Sequence, residues 1–162
     1  MRERNLQQLK AAAEEAEARY DHETAAAHYA HALALPDLAP EEQVALLDGL
    51  ANAYYRWGHF QQYGQAVADL IALAREIRNK RWLGEALAIH GFQRAYHGGD
   101  IPPLEFAREV IELAADLRDD RLLCYGHLLL GVIQYDNEEV DTAFAMLHKG
   151  LDLARRSGCL LY

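Results

Sequence analysis

His28 and His31 lie three residues apart in HYAHAL, a spacing that on a helix would turn both imidazoles toward one metal ion. No cysteine lies near them and no HExxH pattern contains them, so a solvated helix face accounts for the pair better. His90 and His127 fall close to apolar stripes and read as semi-buried imidazoles rather than ligands or bases. Carboxylate pairs of the kind used in acid–base catalysis occur at Glu14-Glu15, Glu41-Glu42 and Glu138-Glu139. Each is expected on a helix surface or in a first turn, where a carboxylate favours the positive end of the helix dipole. The chain has no GxSxG, no P-loop and no glycine fingerprint after a strand, and Gly98-Gly99-Asp100 reads as a turn. Cys124 and Cys159 are too few for a disulfide framework or a structural zinc site. The residues supply no catalytic constellation, so a non-catalytic protein without cofactor or metal is expected.

The elements that carry these residues are helical. Of the 162 residues 51% are hydrophobic, with abundant Ala and Leu, only 4 Pro and few β-branched runs. The formal net charge of −9 disfavours a nucleic-acid partner, whose affinity comes largely from Lys and Arg neutralising phosphates. No apolar run approaches the roughly 20 residues needed to span a bilayer, and the N-terminus has no apolar signal core. A cytoplasmic protein without a membrane partner is the expectation. Between Leu46 and Tyr55 the apolar positions recur in steps of three and four, and the same period runs from Val67 to Ile77. Pro36, Pro40, Gly58, Gly98-Gly99-Asp100, Asp136-Asn137 and Gly158 punctuate the chain, with Asp100 a candidate N-cap. Eight helices follow, at 3–19, 22–35, 41–57, 60–78, 81–97, 101–118, 121–136 and 138–156.

The chain also resembles itself. Ala13, Ala51, Gly91 and Gly131 occupy one position of four superimposable segments, with steps of 51 − 13 = 38, 91 − 51 = 40 and 131 − 91 = 40. Short breaks make the helices of each pair antiparallel neighbours, giving hairpins at 3–35, 41–78, 81–118 and 121–156 in a single array over 1–162. Each hairpin has an apolar face that only the next hairpin can cover.

Leu130-Gly131, Ala143, Leu147 and Gly150-Leu151 in the fourth copy, Leu50-Ala51, Tyr54 and Gly58-His59-Phe60 in the second, and Ala25, Tyr29 and Ala32-Leu33 in the first carry a resemblance to the tetratricopeptide repeat. The third copy keeps Gly91 and Gly98 but inserts Pro102-Pro103. The period, nearer 40 than 34, and lead-ins of the RNKRWL and RDDRLL type resemble repeats of large bacterial ATP-dependent transcription regulators and cyclase-linked sensors. Tyr63 departs from the pattern, standing where the family has a small residue. The resemblance implies an all-α, right-handed superhelical solenoid of about four hairpins. In it Ala13, Ala51, Gly91, Gly131, Ala25 and Ala143 are the small packing positions.

It also implies a concave groove lined by first helices. Carried over, the groove holds Lys10 and Glu14, then Asp48, Asn52, Tyr55 and Arg56, then Glu85, Phe92 and Tyr96, then Tyr125, Leu128 and Tyr135. Asn52 could pair with both the N–H and the C=O of an extended peptide, and tyrosines are common binding hot spots. Family members that clamp chaperone tails use Lys, Arg and Asn; the corresponding places hold Lys10, Glu14, Gly49, Asn52, Glu85 and Ile89. Their acids would repel a terminal carboxylate, so no chaperone-tail binding is expected. The NEEVD string at 137–141 matches such a tail but is internal. The expected function is a protein- or peptide-binding scaffold, a regulatory or sensory part of a larger bacterial protein. Two alternatives stand beside it: a small-ligand sensor, and homo-oligomerisation through the terminal hairpins. The apolar Leu160-Leu161-Tyr162 after a truncated lead-in suggests either a fragment or a docking end.

Overall fold

A computed structural model describes residues 2–96 and 104–158. Among them the chain is all-α: α1 (Arg2–Ala18), α2 (His22–Leu33), α3 (Pro40–Trp57), α4 (Phe60–Glu76), α5 (Lys80–Tyr96), α6 (Leu104–Leu117), α7 (Asp120–Asp136) and α8 (Val140–Ser157), with no strand. Two compact units result, Met1–Arg78 and Asn79–Tyr162. In the first, α1 packs on α2, α2 on α3 and α3 on α4. In the second, α5 packs on α6, α6 on α7 and α7 on α8, while α5 also reaches α7. The expected N-cap Asp100 and the Leu160–Tyr162 tail lie outside the described residues. No helix of the described residues is long and apolar enough to cross a membrane.

The turns explain why helix follows helix so closely. Gly58 and Gly158 are left-handed, as expected of closing glycines, but so are Tyr20, Arg78, Arg118 and Glu138. These positions recur by 118 − 78 = 40, 158 − 118 = 40 and 158 − 138 = 20. At Tyr20, Gly58, Arg118 and Glu138 the residue after the left-handed one donates its N–H five residues back, and the left-handed residue itself three back. Asp21 donates to Ala16 and Tyr20 to Glu17; His59 to Tyr54 and Gly58 to Tyr55; Asp119 to Ala114 and Arg118 to Ala115; Glu139 to Gln134 and Glu138 to Tyr135. The paired bonds form a Schellman motif, which satisfies the orphan carbonyls of the ending helix.

The next residue then starts a new helix. Asp21 accepts from the Thr24 N–H at 3.1 Å, Asn79 from Trp82 at 3.1 Å and Asp119 from Leu122 at 3.0 Å. One residue thus closes a helix and the following one caps its successor. Glu138 and Glu139 belong to such a turn, which is why α8 starts at Val140 rather than at 138. At α3 the sequence reading of Pro40 as a first-turn proline agrees with the structure, and the Glu42 carboxylate accepts from the Ala39 N–H at 2.9 Å.

The core is made of small residues under large ones. Ala13, Ala25, Ala51 and Ala143 are fully buried, and Gly91 and Gly131 are buried with them. A Cβ on Gly131 would stand 2.7 Å from Leu147 Cγ and 3.1 Å from the Ala143 carbonyl, so this glycine sets how closely α7 and α8 approach. Gly91 faces a different way: its nearest neighbour is Leu129 of α7, across from one first helix to the next.

Candidate functional site

In the N-terminal unit the groove candidates sit on α1 and α3. Glu14 and Arg56 are exposed, and Lys10, Asp48, Asn52 and Tyr55 are half-buried. The Asn52 amide donates one turn back on its own helix, to the Asp48 carbonyl at 3.0 Å and the Asp48 carboxylate at 3.4 Å. Tyr55 joins the packing of its hairpin, 5.4 Å from the Tyr63 ring and edge-on to Phe60 at 6.3 Å. Burial raises its phenol pKa above the ordinary value. Tyr63 is a buried partner for Tyr55.

Tyr29 organises the junction of α1, α2 and α3. Its ring lies over Gly49, where a Cβ would come within 2.5 Å of Cζ. Burial, reinforced by the charges of Glu17 and Glu14, by a hydrogen bond to Glu17 and by Asp48, pushes its pKa up to about 12. Two groove candidates, Glu14 and Asp48, thus converge on a buried phenol.

The C-terminal unit holds a cleft. Its volume is about 200 Å³, and Arg81, Glu85, Ile89, Asp119, Arg121, Leu122 and Tyr125 line it. Arg81 bridges two carboxylates, Asp119 at 3.1 Å and Glu85 at 3.6 Å. The Arg121 guanidinium lies 5.6 Å from the centre of the Tyr125 ring, a cation–π distance. Phe92 meets the Tyr125 ring edge-on at 6.4 Å. Between these polar pairs Ile89 is 43% exposed, a large apolar side chain open to solvent at the edge of a cleft. The walls are positions one repeat apart: 121 − 81 = 40 and 125 − 85 = 40.

Of the groove candidates in this unit, Glu85 and Tyr125 line the cleft, and Phe92 touches it through Tyr125. Leu128 instead packs toward α8, where a Cβ on Gly150 would meet its Cγ at 2.7 Å. Tyr135 is exposed near the C-terminus of α7, and the Tyr96 side chain lies outside the described set. Arg81, Asp119 and Arg121 were not among the candidates. Their signal was nevertheless present in the matched lead-ins RNKRWL and RDDRLL, whose second arginines are Arg81 and Arg121.

Among the described residues no three His, Cys, Asp or Glu side chains cluster as metal ligands. His28 is half-buried and His31 exposed on α2. His90 is fully buried, with Nδ1 2.9 Å from the Gln93 carbonyl oxygen Oε1. His127 is buried on α7, and burial, with the nearby Lys149 charge, lowers its pKa. Cys124 is buried and its thiol donates to the Gly150 carbonyl at 3.2 Å, a packing role. Comparison of the chain with protein-family models returned no match, and neither did comparison with curated proteins.

Proposed function

We propose that the chain is a tetratricopeptide-like solenoid module that holds an extended peptide or a partner helix and catalyses nothing. The observation that carries this reading is the cleft between α5 and α7. There, repeat-equivalent positions bring an exposed Ile89, the Phe92–Tyr125 pair and two arginine–carboxylate or arginine–aromatic couples together. Exposed apolar area flanked by fixed polar groups suits a side-chain anchor with backbone contacts on either side. A volume of about 200 Å³ is below the roughly 300–1,000 Å³ of typical small-molecule pockets, which favours one anchoring side chain over a sensed ligand. The chain's net charge of −9 steers basic or neutral partners toward it in preference to acidic tails. We place the module in the cytoplasm, as the regulatory or sensory part of a larger protein.

The test is selection of binding peptides from a displayed random library on the full chain, followed by affinity measurement. Ile89→Asp and Tyr125→Ala should each weaken selected peptides about tenfold or more, the scale of a hot-spot truncation. Exposed Gly64, on α4 and outside the cleft, provides the control variant Gly64→Ala, with affinity unchanged. Peptides that bind both cleft variants as well as wild type, or a library that yields none, would refute the proposal.

A further inference from the structure

The outer face of α8 is apolar, and its pattern is that of a helix-pairing seam. Val140, Phe144 and Leu151 are 44%, 55% and 40% exposed. With half-buried Leu147, which also packs on Gly131 of α7 and so forms the inner margin of the face, they are spaced 4, 3 and 4, the a/d rhythm of a coiled-coil edge. One repeat earlier the matching positions are covered. Leu104 (144 − 104 = 40) packs on the Ala107, Leu129 and Ile133 cluster, and Ile111 (151 − 111 = 40) lies against Gly126 of α7. The same face of α6 is therefore a helix-binding face in this fold, and on α8 it stands open.

The flank of the seam specifies what covers it. Asp141, His148 and Arg155 are seven residues apart and share one edge of α8, on which Arg155 also pairs with Asp152 at 3.6 Å. When two helices pair antiparallel about a two-fold axis, each edge meets its own copy. With His148 at the axis, Asp141 of one chain then opposes Arg155 of the other, twice, while Phe144 seats beside Leu151. A parallel pair would instead set this edge against the partner's other flank, that of Ala143 and Gly150, which already packs on α7, and would pair none of these charges. Stacking head to tail would offer α1, whose exposed residues include Arg2, Glu3, Arg4, Gln7, Glu14 and Glu15 and supply little apolar area.

We infer that α8 is a homodimerisation surface, on which a second copy of this chain lays its own α8 antiparallel. The face lies apart from the α5/α7 cleft, so the inference stands independently of the peptide-binding proposal. A single helix pair buries little area, so the dimer belongs to the weak end of specific interfaces, with a dissociation constant on the order of micromolar.

Sedimentation equilibrium of the full chain over a concentration series tests it. Wild type should pass from monomer to dimer, and Phe144→Glu should remain monomeric with unchanged helical circular dichroism, since the side chain is exposed. Asp141→Arg and Arg155→Asp should each weaken self-association roughly tenfold, because each sets like charges at positions 141 and 155 opposite one another. Mixing the two variants should restore a heterodimer at wild-type affinity, an outcome that altered folding would not produce. A wild type monomeric at about 1 mM, a Phe144→Glu chain that still dimerises, or a mixture no tighter than its components would each overturn the inference. Loss of the dimer on deleting residues 159–162, with Phe144→Glu still dimeric, would assign the contact to the tail and overturn it too.

Discussion

Leu122 of α7 fills a notch left by Gly84 of α5, where a Cβ would stand 2.6 Å from Leu122 Cδ2. Two helical turns on, Leu129 and Gly91 repeat the relation at 2.6 Å. Two glycine notches seven residues apart bring one first helix directly against the next, and the cleft opens beside them. Gly91→Leu should therefore overpack this contact and cost about 1–3 kcal/mol. Gly64→Ala is the contrasting case, with nothing within 4 Å of its Cβ, and should stabilise by about 1 kcal/mol through helix propensity. Urea midpoints of the two variants check both signs; equal midpoints would contradict the packing. By the same reasoning Gly131→Leu, aimed at Leu147 and the Ala143 carbonyl, should be destabilising on the same scale.

The buried phenol makes stability fall in alkali. The native pKa of Tyr29 is about 12, above the ordinary value of 10.0. Between these values the unfolded chain has released the proton and the native chain has not, so ΔG of unfolding decreases as pH rises from 10 toward 12. Tyr29→Phe should remove that part of the slope. Urea midpoints at several pH values from 9 to 11.5, with tyrosinate absorbance followed in parallel, would show it; identical slopes for variant and wild type would count against it.

His127 acts at the other end of the scale. Burial first, and the Lys149 charge second, lower its pKa below the ordinary value of 6.5. As pH falls below the unfolded value, the unfolded chain takes up a proton that the native chain refuses. Stability is then lost, while above 6.5 this contribution is constant. His127→Gln should flatten the dependence between pH 7.5 and pH 5, read from thermal melts at each pH.

Asp119 and Arg81 are ion-paired at 3.1 Å, yet they should not be equivalent. Asp119 also caps α7 through the Leu122 N–H, and loss of a capping side chain costs about 1 kcal/mol. Arg81 is an exposed partner, with ion pairs worth about 0–1 kcal/mol. Asp119→Ala should lower the urea midpoint clearly and Arg81→Gln barely, while both alter the cleft. A larger loss in Arg81→Gln would mean that the ion pair, not the cap, holds the turn.

Much of the fold was legible in the residues because local rules govern it. A 3.6-residue apolar period, Pro40 at a helix start and Gly58 and Gly158 at helix ends are each decided by the chain within one or two turns. The repeat of small residues was also readable, and Ala13, Ala51, Gly91 and Gly131 are all buried. The left-handed turns at Tyr20, Arg78, Arg118 and Glu138 were not. None is the glycine that the conformation favours, and each costs about 1–2 kcal/mol that packing and, at Tyr20, Arg118 and Glu138, the Schellman hydrogen bonds must offset.

Side-chain direction was the part that required tertiary structure. Periodicity could place Tyr125 and Leu128 together on α7, but only the neighbouring helices decided that Tyr125 turns to the α5 cleft and Leu128 to Gly150 of α8. Arg81 and Arg121 could be seen as matched letters in two lead-ins, yet their convergence depends on α5 and α7 approaching through the glycine notches. Helix identity follows from contacts a few residues apart, which any single stretch of chain contains. The cleft is made by residues about forty positions apart, and their meeting is settled by which faces bury the most apolar area together.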